Sequence, residues 1–321
     1  MDYIIREIKM PGRGFYDLGL TGDWHYGGVA CATDLLAEAA KMLGTRCHGW
    51  LGMGDYHDAI GRTDRRWDDK NLDPELFLTS AAKGGAGGSV ARYHELCSDR
   101  LAEMFAPAAH NCLGLLSGNH EVTMSTRYDR DLMYRLTEGM RSKRGGKTNP
   151  NLQALDYEAV IVLRFTRHQK GGSSLVKLFL HHGAGAAATK GGQANKLLSM
   201  ATVLPEADAF ICGHYHREDF WIEHPMKLHF LDKNGSDPQE IVPMEGRQLF
   251  VQVQSFYRTY VKGSSNYASR RLYRPTGLGA RVLRIWPFRR FYHEVAGERV
   301  LDLATPVIEP LWNVKDETQE V

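Results

Sequence analysis

Five short blocks rich in Asp, His and Asn each follow an apolar run: Gly22-Asp23-Trp24-His25, Gly54-Asp55-Tyr56-His57-Asp58, Gly118-Asn119-His120-Glu121, His181-His182-Gly183 and Gly213-His214-Tyr215-His216. Carboxylate, carboxamide and imidazole are donors for divalent cations, and five such groups in one chain read as one divided metal site. Two cations about 3.5–4 Å apart can bind a phosphoryl group, generate hydroxide from water at neutral pH and offset charge on the attacking and leaving oxygens. One carboxylate must then reach both ions. Asp55, after a glycine that permits close backbone approach, suits that place. Asp23 and His25 are alternate residues, so their side chains converge only if the chain turns after its strand. His214 and His216 repeat that spacing and can offer one imidazole to each ion.

The elements that must carry these blocks alternate. Residues 15–20 read as a strand entering the first block, Leu35 to Leu43 as a helix, and Trp50 to Met53 as a strand entering the second. Ser89 to Phe105 reads as a helix stopped by Pro107, and Cys112 to Leu116 as a strand entering the third. Leu175 to Leu180 is β-rich before the His pair, Gln193 to Val203 is helical, and Ala209 to Cys212 is a short buried strand ending at Gly213. All five blocks fall at strand ends, where layered α/β proteins build their sites. The chain reads as one domain over 1–321, with an insertion at 61–105 and a basic, β-rich part at 248–300. Gln248 to Val253 and Gly279 to Ile285 read as strands of an additional sheet. Arg141 to Pro150 and Asp232 to Pro243 read as polar loops, the second as a hairpin tip.

A hydrophobic content of 43% over 321 residues is enough for a sizeable core. The mean hydropathy is −0.39. The first residues alternate like a strand and lack the apolar core of a signal peptide, and no apolar run approaches the ~18 residues of a membrane span. A cytoplasmic protein is the expectation. The five cysteines form no C-x-x-C, which argues against a disulfide framework or zinc knuckle. The glycine run from Lys83 to Gly88 lacks the Lys and Ser/Thr of a phosphate-binding loop. Nine of the 40 basic residues (Arg258, Lys262, Arg270, Arg271, Arg274, Arg281, Arg284, Arg289, Arg290) stand together without an acid. That segment reads either as a contact for phosphate-rich partners or as a solvated face.

The blocks D-x-H, G-D-x-x-D, G-N-H-[DE], a lone metal His and G-H-x-H, in this order over residues 23 to 216, resemble the calcineurin-like metallophosphoesterases. The resemblance implies an α/β fold, a four-layer α/β/β/α sandwich with two central mixed sheets, and a binuclear site at one edge. By position it implies that Asp23, His25 and His216 hold the first metal, that Asp55 bridges, and that Asn119 and His214 hold the second. It makes His120 the group that contacts the substrate phosphate or protonates the leaving group, and Asp58 the acceptor that orients His120. The fourth block leaves His181 and His182 as alternatives. Gly183-Ala184-Gly185 and the Gly-Gly-x-Ala-Asn after it resemble the small phage and bacterial members whose metal His directly precedes Gly, which selects His182. The two ions are expected to be Mn²⁺, with Fe, Zn or Mg compatible with the same donors.

The implied activity is hydrolysis of a phosphodiester by hydroxide generated at the metals. The D-x-H-x-G form of the first block resembles the DNA-repair nucleases of the family and, with the basic segment, favours DNA or RNA as substrate. The second and third blocks also resemble Ser/Thr protein phosphatases, so nucleotide or protein phosphomonoesterase activity is the alternative. Ala59-Ile60 stands where those phosphatases carry the Arg-Gly that grips a phosphomonoester. From another class, the interleaved Tyr260, Tyr267, Tyr273, Trp286 and Phe288 would suit a nucleic-acid-binding module with structural metals. His57, at a variable family position, is a lesser candidate for substrate contact. His48, His94, His110, His168, His224, His229 and His293 read as surface or core histidines. No amphipathic membrane-binding stretch is evident, and the sequence does not speak to oligomeric state.

Overall fold

The computed structural model describes residues 1–10, 14–82, 90–143, 149–167, 172–185, 187, 189–231, 240–262, 266–270, 272–288, 291–295, 298–302 and 307–313. The first half of the chain forms β1 (Asp2–Met10), β2 (Tyr16–Thr21), α1 (Thr33–Thr45), β3 (Gly49–Gly52), α2 (Pro74–Ala82), α3 (Val90–Phe105), β4 (Cys112–Leu116), α4 (Asn119–Tyr128), α5 (Leu132–Lys143) and β5 (Ala154–Leu155). There follow β6 (Glu158–Arg167), β7 (Ser173–His181), α6 (Lys190–Val203), β8 (Ala209–Cys212), β9 (Asp219–Glu223), β10 (Met226–Leu231), β11 (Glu240–Glu245) and β12 (Gln248–Gln252). The last elements are α7 (Tyr267–Arg270), β13 (Arg281–Trp286), β14 (Phe291–Val295), β15 (Glu298–Asp302) and β16 (Val307–Asn313).

Two six-stranded mixed sheets form the centre, in the orders β1-β6-β7-β8-β12-β9 and β16-β13-β2-β3-β4-β5. In the second sheet β2, β3, β4 and β5 run parallel, so the blocks after β2, β3 and β4 emerge at one edge. In the first sheet β7, β8 and β12 run parallel and bring the His pair and the last block to their own common edge. Leu18, Leu20, Leu51 and Leu116 of one sheet share a buried cluster with Ile161, Leu178, Ile211 and Val251 of the other, so the sheets pack face to face. Leu36 of α1, Leu101 and Phe105 of α3, and Leu136 and Met140 of α5 cover the outer face of the second sheet through Trp50 and Leu115. Leu197 and Met200 of α6 cover the first through Phe179, Phe210 and Phe250. The result is the α/β/β/α layering expected from the sequence.

The expected extra sheet is not formed by residues 248–253 and 279–285. β12 lies between β8 and β9, and β13 between β2 and β16, so both complete the central sheets. β12 is buried along its whole length; a run apolar on both faces shows that a strand is interior but not which sheet receives it. Part of the 61–105 insertion is also core, because α3 supplies Tyr93, Leu101 and Phe105 to the helical layer. Residues 83–89 lie outside the described residues. Arg141 belongs to α5 rather than to a loop, and residues 240–243 belong to β11, which pairs antiparallel with β10; residues 232–239 lie outside the described residues.

Candidate metal centre

The turns that deliver the blocks are left-handed. Asp23 (φ 48°), His25 (φ 47°), Asp55 (φ 51°), His214 (φ 70°) and His216 (φ 51°) all adopt positive φ. Each such residue costs about 1–2 kcal/mol in backbone energy, and such strain concentrates where geometry is functional. The intervening aromatic residues offset it. Trp24, fully buried, stacks on Phe105 at a centroid distance of 4.0 Å, meets Tyr56 at 4.5 Å and donates from Nε1 to Thr21 Oγ1 at 2.8 Å. Removing an indole of 150–250 Å² from water at about 25 cal/mol/Å² contributes roughly 4–6 kcal/mol, more than the two flanking residues cost. Tyr56 is buried in the same way between Asp55 and His57. Backbone bonds tie the turns together: Asp23 N donates to Gly54 O at 2.8 Å and His25 N to Asp55 O at 3.1 Å. His214 N donates to Asp23 Oδ2 at 2.8 Å.

The side chains fall into linked groups. Asp23, His25 and His216 form one, Asp55, His182 and His214 a second, and His25, Asp58 and His120 a third; within each, one atom per residue lies within 4.8 Å of the others. His25 Nε2 is 2.9 Å from His216 Nε2, which is 3.5 Å from Asp23 Oδ1. His182 Nε2 stands 3.2 Å from Asp55 Oδ2 and 3.3 Å from Asn119 Oδ1. His182 Nδ1 is 2.6 Å from the Met53 carbonyl, which can only accept, so Nδ1 carries hydrogen and Nε2 faces the carboxylate. Burial would lower the His182 pKa, but Asp55 overrides it and raises it to about 9. In the bare chain a proton at Nε2 thus answers the Asp55 charge. Burial would raise the Asp23 and Asp55 pKa values; His216 and His182 respectively hold them below the usual range instead.

The donor set fits divalent cations. Asp23 Oδ1 is buried and accepts no hydrogen bond from the described residues. The Asn119 carboxamide oxygen faces only acceptors; turning the amide over would place its NH₂ 2.9 Å from His214 Nδ1 and 3.2 Å from Asp55 Oδ2. An oxygen among lone pairs is costly unless the amide turns over or a cation lies between them. Asp23, His25 and His216 would hold one ion, and Asp55, Asn119, His182 and His214 the other.

His182 rather than His181 joins the centre: His182 is fully buried there, whereas His181 lies 3.7 Å from Glu158 and accepts from Gly183 N. Asp58 comes near His120, with Oδ1 4.0 Å from Nδ1, but lies closer to His25 Nδ1, at 3.5 Å. Neither separation is a hydrogen bond. His57 turns away from the mouth of the site, with Nδ1 3.0 Å from Glu121 and Nε2 2.8 Å from Ser98. His94 is a core histidine; His168 and the side chains of His229 and His293 lie outside the described residues.

Two contributors were not anticipated. Glu121 accepts from the backbone N–H groups of Asp55, His57 and Gly118, each at 3.0 Å. It sits at the third position of α4, so an acidic residue three after a helix cap was its signal. Tyr257, after β12, places its ring 5.0 Å from that of His25 and 5.4 Å from that of His216; no spacing in the sequence marked it. Among the described residues, four cations of the basic segment pair within the chain. Arg258 bonds Asp34 at 3.1 Å, Arg270 bonds Asp68 at 3.2 Å, and Arg284 grips Asp17 at 2.8 and 2.9 Å over the Phe15 ring. Arg281 pairs with Glu218. Arg271, Arg289 and Arg290 lie outside the described residues.

No family model and no curated protein matches the chain. Among solved structures, one described as GAP50, the anchor in the inner membrane complex of Plasmodium, is similar at 14% identity and a TM-score of 0.34, over 91% of this chain and 89% of that chain. A likeness at that level carries no argument about function. Among the described residues no helix is long and apolar enough to cross a membrane.

Proposed function

We propose that the chain is a binuclear metal-dependent phosphoesterase of the calcineurin-like kind, hydrolysing a phosphodiester. The observation that carries this reading is the convergence of seven ligand-type side chains from five strand ends into two adjoining groups, with a buried Asp23 oxygen that accepts no hydrogen bond from the described residues. When bound, the cation pair supplies Lewis acidity at the phosphorus and a deprotonated water as nucleophile. Asp55, the bridge of this reading, has its Oδ1 accepting from His120 N at 3.0 Å while Oδ2 faces His182. His120, buried and with Nδ1 turned toward Asp58, keeps Nε2 for the substrate and gives its proton to the leaving oxygen. Asp58 faces the protonated ring before the transfer, by charge rather than by a direct hydrogen bond, and the ring is left neutral after it. All five cysteines are free and buried, in keeping with a reducing compartment, and we place the protein in the cytoplasm.

The test is hydrolysis of bis-p-nitrophenyl phosphate by chelator-treated protein with and without added Mn²⁺. Turnover restored by metal supports the reading. Monoester hydrolysis alone would make the protein a phosphomonoesterase, and no turnover with metal-independent DNA binding would make it a binding module.

A further inference from the structure

Beside His216 opens a cavity of about 330 Å³, at the lower end of the size range of small-ligand pockets. Four segments line it: the start of α6 with Lys190, the turn after β8 with Tyr215, His216 and Arg217, the stretch after β12 with Thr259, and α7 and the stretch behind it with Tyr273 and Arg274. Three of the lining side chains are cationic and none is acidic. Lys190 is the least committed to the interior, being 71% exposed and paired with Asp219 at 3.0 Å. Arg217 differs: its Nη1 is buried and has no hydrogen-bond partner among the described residues. That nitrogen does not open onto the cavity; Arg217 lines the cavity as a half-buried residue whose planar fork is shaped for the paired oxygens of a phosphate. Arg274 is exposed on another wall of the same cavity. The Tyr215 ring is held in place by its hydroxyl, which donates to Ala184 O at 2.9 Å.

We propose that this cavity receives one nucleotide unit of the substrate, with Arg217 and Arg274 binding a second phosphate next to the scissile one and the tyrosine rings flanking the base. His216 belongs both to the cavity wall and to the first ligand group, so a phosphodiester at the metals places its neighbouring nucleotide here. The preferred substrate is then a diester that carries a further phosphate one nucleoside away, as in an oligonucleotide, and not a cyclic nucleotide with a single phosphate. This deepens the phosphoesterase reading and rests on it.

The experiment compares thymidine 5′-p-nitrophenyl phosphate with and without a 3′-phosphate, and the 3′-p-nitrophenyl ester with and without a 5′-phosphate, using Mn²⁺-loaded protein. In one of the two pairs the extra phosphate should raise kcat/KM by roughly 10- to 100-fold, the worth of a charge-assisted contact. Arg217→Gln and Arg274→Gln should each pull that ratio toward one. A ratio near one for wild type in both pairs, with bis-p-nitrophenyl phosphate still hydrolysed, overturns the pocket while leaving the phosphoesterase reading intact. A second arm does not need turnover: calorimetric titration of 3′,5′-diphosphothymidine into chelated protein. Binding that weakens at least tenfold in both arginine variants supports the pocket even if no diester is cleaved. Absence of binding, or affinity indifferent to both substitutions, overturns it.

Discussion

Glu121 and His57 meet twice, the backbone N–H and the ring Nδ1 of His57 both donating to Glu121 Oε1 at 3.0 Å. The other oxygen accepts from Asp55 N and Gly118 N, so one buried carboxylate holds the second and third blocks together. With Ser98 at His57 Nε2 the connectivity is that of a Ser-His-acid triad, yet Ser98 and His57 are fully buried and no substrate reaches them. The assembly is a strut beneath Asp55. Glu121→Ala leaves four buried donors unanswered and should cost about 3 kcal/mol or more, read as a lower urea midpoint in chelated protein. A midpoint within error of wild type would show that the loops hold without it.

Metal content should depend on Asp55 and, less obviously, on Gly118. Asp55→Asn removes a charge from the carboxylate proposed to bridge the two ions, and should lower Mn²⁺ occupancy and nearly abolish turnover. A Cβ at residue 118 would stand 2.1 Å from Asp55 N and 2.2 Å from Asp55 Oδ1. Gly118→Ala should therefore displace the carboxylate and reduce occupancy although no ligand is deleted. Elemental analysis decides both. Wild type saturating at one ion per chain would count against the binuclear centre, and full occupancy in the glycine variant against the packing argument.

Replacing His120 should separate chemistry from binding. His120→Ala is expected to keep the metals, because neither metal needs its ring, and to lower kcat by roughly 10²–10⁴-fold. A proton matters most to a poor leaving group, so the loss should shrink for p-nitrophenolate and grow for an alkoxide. An equal penalty on both would make His120 an electrostatic contact and not a proton donor.

The convergence of Asp23, His25, Asp55, His214 and His216 was legible in the sequence because a metal site would impose donor type and strand-end position together, and these residues, with Asn119, obey both. His181 and His182 were not separable from the residues alone. They are neighbours on a strand end, and only the choice of face sends one to Glu158 and the other to Asp55. Placement of β12 and β13 was illegible for a different reason: their apolar runs record burial, whereas sheet membership depends on contacts with β8 and β2 far back in the chain. The charge run was legible only as a run, since sequence hides the distant carboxylates of Asp34, Asp68 and Asp17 that pair with Arg258, Arg270 and Arg284.

Acid stability should bear the mark of His94. Burial, and then the neighbouring His57 ring, push its pKa from 6.5 down to about 4. A depressed folded-state pKa means the unfolded chain binds the proton first, so this contribution is complete above pH 6.5 and is lost as pH falls toward 4. Each tenfold loss of proton affinity is worth about 1.4 kcal/mol, which makes the lost stability on the order of 3 kcal/mol for so buried a group. His94→Gln should flatten the dependence of unfolding free energy on pH across that window, measured in chelator to remove metal linkage. Parallel curves for variant and wild type would assign the acid limb to the carboxylates alone.

The internal pairing of the basic segment makes a prediction about salt. Were all nine cations from Arg258 to Arg290 to track a phosphate backbone, polynucleotide affinity would fall with salt at a log-log slope of about −6 to −8, since each contact contributes roughly 0.7–0.9. Arg258, Arg270, Arg281 and Arg284 already face carboxylates of their own chain. Moving one of them to a phosphate exchanges one anion for another and releases little net energy. Among the described residues, the cations proposed to meet a substrate are those around the cavity, Arg217 and Arg274 foremost. Titration of a short single-stranded oligonucleotide into chelated protein at increasing salt should give a slope of about −1.5, from two contacts. It should become shallower by roughly 0.7 in Arg274→Gln and stay unchanged in Arg284→Gln. A steep slope that flattens with Arg284 would return the basic face to the role of a nucleic-acid track.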